Sequence, residues 1–322
     1  MKKISVVVSC YNEELMLPSF YSVTKEVLEQ CPWDYELLFV NDGSIDASYE
    51  ILRGLAEKDQ HVRVVNFSRN YGHEAAMIAG IDYASGDGVV CMDADLQHPP
   101  ACIPQIIEKL EEGYDVISMI RTARADAGLV KKMTSAMFYK VLNAFSPIHF
   151  EENSSDFFAV SRRVAELLKV EYREHVRYLR GFVQSLGFRK TTLSFEAGKR
   201  EAGSSHYSIR KLIRFSITTL CGFSDAPLKL GIYSGLLAAL AGVLLIIYSL
   251  VNKVLFDIPP GYTTIIVALC FLFALTLIVI GVIGEYLGIL LAEVKNRPIY
   301  TVMEVLGTEP DKEAPEREQR EE

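Results

Sequence analysis

Over its first 120 residues the chain alternates between short runs rich in valine and isoleucine and longer stretches whose apolar positions recur with helical spacing. The runs at 4–9, 36–40, 62–67, 88–92 and 115–118 predict β-strands, and the stretches at 17–31, 47–57, 74–84 and 103–112 predict helices between them. Runs such as Ile4-Ser5-Val6-Val7-Val8 lack strict alternation, which marks strands buried on both faces. The expected fold is therefore α/β, a mainly parallel sheet with helices on both faces. After Leu228 the pattern changes: no residue from 230 to 250 is charged, nor any from 261 to 284. As helices these runs are each roughly 30 Å long, the thickness of a bilayer's hydrocarbon core. They predict a two-helix transmembrane hairpin.

The flanks of the hairpin orient it. Arg210, Lys211, Arg214 and Lys229 precede the first run and Lys295 and Arg297 follow the second, whereas the connector carries only Lys253 and Asp257. This bias predicts a multi-pass membrane protein with its head and both termini in the cytoplasm. The expected divisions are a cytoplasmic catalytic domain (1–207), a juxtamembrane amphipathic region (208–228), a first span (229–252), a short extracytoplasmic turn (253–260), a second span (261–288), a juxtamembrane segment (289–306) and a disordered acidic tail (307–322). In 208–223 the basic residues and Ile209, Leu212 and Ile213 segregate, the pattern of an interfacial helix attracted to anionic membrane lipids. The stretch 293–302 is expected to be a similar short interfacial segment.

Composition adds exclusions. The net charge is −8, of which −4 belongs to residues 309–322, with seven acids and three bases. That balance does not favour a nucleic-acid partner. Six cysteines, at 10, 31, 91, 102, 221 and 270, form no CxxC pair and read as buried thiols of a reducing compartment. The apolar run in MKKISVVVSCYNEE is too short for a signal peptide and is followed at once by acids.

Ligands of parallel sheets bind beyond the carboxyl ends of the strands. Polar clusters stand at those ends: Tyr11-Asn12-Glu13-Glu14, Asn41-Asp42-Gly43-Ser44, Ser68-Arg69-Asn70, Asp93-Ala94-Asp95 and Arg121. The first strand runs into CYNEE without a glycine, which argues against a dinucleotide site of the GxGxxG kind. Asp42 either holds ribose or base hydroxyls or makes a turn, and the two roles are compatible. Asp93 and Asp95, at i and i+2 of a strand, are expected to point to one side. Two carboxylates held together call for a proton or cation between them, and oxygen ligands of this type suit Mg2+ or Mn2+ completed by substrate phosphates. Gln97 is a candidate third ligand. His98 stands open between a capping or packing role and a catalytic one.

Taken together, SCYNEE, VNDGS, FSRNYGHEAAMIAGIDYASGD and MDADLQHPP resemble the family 2 glycosyltransferases of the GT-A fold, in particular the bacterial polyprenyl-phosphate glycosyltransferases and the related dolichyl-phosphate mannose synthases. The resemblance extends over about residues 3–305 and includes the closing string GEYLGILLAEVKNRPIY. It implies that Tyr11, Glu13 and Asp42 hold a nucleotide and that Asp93, Asp95 and Gln97 surround a metal–diphosphate. Asn153-Ser154-Ser155-Asp156-Phe157 is similar to the family's acceptor-side Gly-Asp-Phe-Arg motif, with Asp156 at its aspartate, Ser155 at the glycine and Phe158 at the arginine. Arg180-Gly181 matches an Arg-Gly pair. The string from Lys199 to Tyr207 resembles a flexible Arg-x-x-Gly-x-Ser-Lys-Tyr loop, with His206 in place of the lysine. By that resemblance Arg121, Arg180, Ser205 and Tyr207 join the substrate-binding set, and Asp156, Asp95 and Arg200 the catalytic set.

The implied activity is inverting, metal-dependent transfer of a hexose, with glucose from UDP-glucose the expected donor, to a polyprenyl phosphate such as undecaprenyl phosphate. Two alternatives stand beside it. One is a processive polysaccharide synthase, disfavoured by only two spans and by the lack of a QxxRW motif. The other is a non-catalytic membrane scaffold with a sugar-nucleotide-binding domain, disfavoured by the intact acids. Two helices form a small anchor, so a homo-oligomer, for instance a tetramer, is also expected.

Overall fold

A computed structural model describes residues 1–122, 143, 154–175, 178–196, 221–222, 224, 226–256 and 261–307. The chain divides into two compact units, one of residues 1–132, 150–206 and 298–322, the other of 133–149 and 207–297.

The first unit is built on an eight-stranded sheet. Its strands are β1 (Lys3–Cys10), β2 (Asp34–Asn41), β3 (Val62–Phe67), β4 (Gly88–Asp93), β5 (Val116–Arg121), β6 (Ser154–Ser161), β7 (Lys190–Phe195) and β8 (Val302–Leu306). Their order is β7-β5-β6-β4-β1-β2-β3-β8. The strands β4, β1, β2 and β3 run parallel. Their connections are helical: α1 (Leu17–Glu29), α2 (Ser48–Lys58) and α3 (His73–Tyr83), followed after β4 by α4 (Ile103–Glu111). Two further helices, α5 (Arg162–Glu171) and α6 (Leu179–Ser185), follow β6. β1 is buried from Ile4 to Cys10 and β2 from Tyr35 to Asn41, as expected for largely apolar strands without strict alternation.

Three strands depart from the expected pattern. β6 inserts antiparallel between β4 and β5, β7 lies parallel to β5, and β8 pairs antiparallel with β3. Val302–Leu306 falls in the stretch expected to be juxtamembrane; it is instead an edge strand of the head. Its five residues, apolar apart from Glu304, are too few to separate from an interfacial segment by pattern alone.

The parallel register decides which polar residues meet. Cys10 pairs with Asn41, Ser9 with Asp93 and Asn41 with Asn66, so the polar strand ends form one row. α3 lies close behind this row, and four of its seven buried residues, Ala75, Ala76, Ala79 and Gly80, are small. A Cβ placed on Gly80 would lie 1.9 Å from Val7 Cγ1, so the helix seats on β1 only with glycine there.

In the second unit, α7 (Ala226–Phe256) and α8 (Tyr262–Lys295) are both long and apolar enough to cross a membrane. They pack on each other, with Gly231 facing Val279. Leu236, Leu237, Phe271 and Leu277 each leave about two thirds of their surface uncovered, an arrangement at odds with a water-exposed surface but suited to hydrocarbon.

Two glycines test the packing. Gly80→Ala should destabilise the head by about 1–3 kcal/mol through overpacking against Val7. Gly54→Ala, in α2 with nothing within 4 Å of the added methyl, should instead stabilise by up to about 1 kcal/mol. Denaturation of the two purified variants against the parent chain reads both signs.

Candidate active site

Three loops at the carboxyl ends of β1, β2 and β3 are tied together by short polar side chains. Asn12, in the left-handed region at φ 56°, donates its N–H to Ser44 Oγ at 2.9 Å, and its Oδ1 accepts the Ile45 N–H at 2.9 Å. The Glu13 N–H donates to Ser48 Oγ at 2.8 Å, and Glu14 Oε2 accepts the Ala47 N–H at 2.9 Å. Gly43, at φ 64°, approaches the third loop so closely that a Cβ there would lie 2.4 Å from the Arg69 carbonyl carbon. Asp42 is buried, and its two carboxylate oxygens accept the N–H groups of Tyr71 and Gly72 at 2.6 and 2.9 Å. Asp42 is thus an anchor of the 69–72 loop. Tyr11 stands 45% exposed at the mouth of the site, and Glu13 is partly exposed beside it.

β4 delivers Asp93 to the same row. The expectation that Asp93 and Asp95 share a strand face is corrected: the strand ends at Asp93, and Asp95 lies in the turn beyond, followed by Leu96 at φ 56°. Asp95 Oδ1 accepts the Gln97 N–H at 3.1 Å, which fixes that turn. The Asp93 N–H donates to His98 Nδ1 at 3.0 Å, so the ring proton of neutral His98 sits on Nε2 and is donated to Ser155 Oγ at 2.8 Å. His98 is buried and stacked on Phe157, with ring centroids 5.1 Å apart. Burial pushes its pKa down, despite the nearby Asp93 and Asp95, and keeps it neutral. The packing role is realised: His98 fixes the end of β4 against β6.

Among the described residues no three His, Cys, Asp or Glu side chains converge as a ready-made metal cage. Mg2+ is commonly bound by one or two carboxylates and completed by substrate phosphates. Asp93 and Asp95, partly exposed at the strand end, fit an ion of that kind arriving with a diphosphate.

On the other side of Asp93 is a second cluster of charges. His73 opens α3; its Nδ1 lies 2.9 Å from Ser9 Oγ and 3.6 Å from Asp93 Oδ1, and its Nε2 lies 3.9 Å from Asp156 Oδ2. Arg180 Nε is 3.4 Å from Asp156 Oδ1. Glu74 accepts the Leu179 N–H at 2.8 Å, which holds the start of α6 and hence Arg180. Arg121 ends β5 with its guanidinium 6.0 Å from the centre of the Phe195 ring. Burial would raise the Asp156 carboxyl, but Arg180 and His73 outweigh it and hold it below the usual range. Burial would lower His73, but Asp93, Asp156 and Glu74 together push it up. Burial and then Asp156 raise Glu74 to about 6.

The structure therefore brings Asp93, Asp156 and Arg180 together around His73, a residue to which the sequence reading assigned no role, as is also true of Glu74. The available signal was a His-Glu pair at the head of an otherwise small and apolar helix. Arg200, Ser205 and Tyr207 lie outside the described residues, as does most of 208–223.

Comparison with known proteins bears on this geometry. Residues 5–169 match the model of Glycosyl transferase family 2, and residues 226–290 match that of the GtrB C-terminal hairpin. The chain is 40% identical over 306 residues to the uncharacterized glycosyltransferase YkcC of Bacillus subtilis (strain 168), covering 95% of this chain and 94% of that protein. It is 38% identical over 301 residues to the SfII prophage-derived bactoprenol glucosyl transferase of Shigella flexneri, covering 93% and 97%. Among solved structures it resembles glucosyl-3-phosphoglycerate synthase from Mycobacterium tuberculosis, in complex with Mn2+, UDP-glucose and phosphoglyceric acid. That likeness has a TM-score of 0.50 and 23% identity over 70% of this chain and 81% of the other, and it speaks to the GT-A fold.

Glu74 yields a pH prediction. Its folded pKa lies above the ordinary 4.5, so the stability it contributes is complete below about pH 4.5 and is lost as pH rises through about 6. Glu74→Gln keeps an oxygen for the Leu179 N–H and removes the ionised form. Thermal scans should show a gain on the order of 1 kcal/mol at pH 8 and almost none at pH 4.5. A gain of equal size at both pH values would contradict the burial of this charge.

Proposed function

The chain belongs to glycosyl transferase family 2, and from that premise we propose that it transfers a hexose, glucose from UDP-glucose, to the phosphate of a polyprenol such as undecaprenyl phosphate. The observation that carries this reading is the 38% identity to a bactoprenol glucosyl transferase over 93% of the chain, apolar helices included. A lipid-linked acceptor also accounts for an enzyme head joined to two helices of membrane-spanning length.

In this reading a phosphate oxygen of the polyprenyl phosphate attacks the anomeric carbon. The bond from that carbon to the diphosphate oxygen breaks, the nucleoside diphosphate leaves with the electron pair, and the sugar is inverted. Tyr11, Glu13 and Asp42 bind the nucleotide, Asp42 also through the loop it anchors. Asp93, Asp95 and Gln97 would hold Mg2+ or Mn2+, which would neutralise charge on the diphosphate. Arg121 and Arg180 face the phosphates, and the family resemblance adds Arg200, Ser205 and Tyr207 to this phosphate-binding set. Asp156 orients the acceptor or takes a proton from it. The acceptor phosphate is already largely ionised at neutral pH, so orientation suffices.

The head and both chain termini are assigned to the cytoplasmic side of a bacterial inner membrane, by the basic flanks of the hairpin. The pairing of β8 with β3 supports the same arrangement. Strands before and after the hairpin share one sheet, so if α7 and α8 cross the bilayer, they do so an even number of times.

Purified protein given radiolabelled UDP-glucose and undecaprenyl phosphate should form a glycolipid and release UDP; no lipid product with any UDP- or GDP-sugar would sink the proposal. Asp156→Asn should lower kcat about 100-fold or more. Asp93→Ala should abolish transfer. Exhaustive chelation should stop the reaction until Mg2+ or Mn2+ is returned, and full activity without either would remove the cation.

A further inference from the structure

The segment that follows α8 reaches the donor half of the site. Chain leaves the helix at Asn296, in the left-handed region at φ 42°, and enters β8 alongside β3. The pairing slips where β3 ends: Asn66 is opposite Glu304, but Phe67 is opposite Val302. Beyond the slip, Thr301 C=O accepts the Ser68 N–H at 3.1 Å. Ser68 begins the loop whose Tyr71 and Gly72 N–H groups hold Asp42.

Tyr300 secures that contact. Its ring lies flat on Phe67, with centroids 5.1 Å apart and planes 12° from parallel. Its hydroxyl donates to Asp82 Oδ2 at 2.5 Å, and Asp82 also receives Arg173 Nη1 at 2.8 and 2.9 Å. Tyr71 packs edge-on against the same Phe67, 5.7 Å away, with the Arg69 guanidinium 4.0 Å from the centre of its ring. A hydrogen-bonded and stacked path therefore runs from Asp82 in α3, through Tyr300 and Thr301, to the loop and Asp42.

We propose that Tyr300 and Thr301 are positioning residues of the donor site, holding the Ser68–Gly72 loop and, through it, the Asp42 carboxylate in the geometry that binds the nucleotide. This rests on the nucleotide role given to Asp42 above. The return strand is then part of the catalytic head and not merely the end of an anchor. Because nucleotide binding is the same in ground and transition states, its loss should raise KM for the sugar nucleotide and leave kcat nearly unchanged.

The test uses the full-length protein in nanodiscs, with UDP as the probe, GDP in parallel, and Mg2+ or Mn2+ present. Titration calorimetry should show Tyr300→Ala binding the nucleotide about tenfold more weakly, and Tyr300→Phe, which keeps the stacking, about threefold more weakly. KM for the polyprenyl phosphate should not move. Gly307→Ala separates positioning from stability. Gly307 has φ 73°, and a Cβ there would lie 2.3 Å from Val62 C=O, so it weakens the far end of the same strand pair. With a fall in melting temperature matching that of the Tyr300 variants, it should leave nucleotide affinity within about twofold. Unchanged affinity in folded Tyr300→Phe and Tyr300→Ala, or an equal loss in Gly307→Ala, overturns the inference. Wild-type protein that binds neither nucleotide overturns instead the donor assignment of Asp42.

Discussion

The carboxylate of Asp42 lies at the carboxyl end of β2, almost entirely out of solvent, and takes main-chain hydrogen bonds from Tyr71 and Gly72. Removing an ionised carboxylate from water costs several kcal/mol unless donors replace the lost hydration. Hydrogen bonds to a charged group contribute about 1.5–3 kcal/mol each, so two of them hold the carboxylate and the loop to each other. The remaining loops are arranged around that contact. Gly43 lets the β2 loop approach the Arg69 backbone, and Ser44 and Ser48 pass the constraint to Asn12 and Glu13. Asn41 reinforces it, donating to Asn66 Oδ1 at 2.8 Å and accepting from Ser44 Oγ at 2.5 Å. Short polar residues suit this work, because each bridges one main-chain group to the next with little rotamer freedom to lose.

Asp93 sits where these tied loops meet a more highly charged region. Its own N–H is held by a neutral, buried His98, while its carboxylate faces His73. Two imidazoles within reach of one carboxylate are driven in opposite directions by their surroundings. His98 lies between Phe157 and Phe195, and loss of hydration dominates. His73 faces Asp93, Asp156 and Glu74, and their combined field dominates. The separation gives the two rings different work: a neutral ring fixes backbone, while the charged cluster holds Asp156 ionised beside Arg180.

The parallel half of the sheet was readable from sequence because β1 to β4 are rich in valine, leucine and isoleucine without strict alternation, the pattern of strands buried on both faces. Their polar ends were readable for the same reason, since register in such a sheet sets strand ends side by side. β7 and β8 were not readable: Lys190–Phe195 alternates exposed and half-buried positions, and β8 is five residues long with Glu304 at its centre. Both belong to edges, where local pattern is weakest and pairing depends on a distant partner. The strand-face argument for Asp93 and Asp95 failed at a turn, because alternation says nothing about where a strand stops. His73 and Glu74 carried too little local signal, as their role comes from Asp156, which lies 83 residues beyond His73 in the sequence.

The position of β8 also constrains the apolar helices. A single span would place whatever follows it across the membrane from β3, and no pairing with β3 would then form. If both helices cross, two spans joined by a short connector bring the chain back, without a long loop whose closure would cost entropy. The returning residues cover the open edge of β3, which would otherwise expose unpaired backbone groups beside the loop that holds Asp42. On this view the number of helices is set as much by the sheet as by the lipid. One helix is enough to hold a domain at a bilayer, but a second is needed if residues beyond the anchor are to complete the fold that the anchor carries.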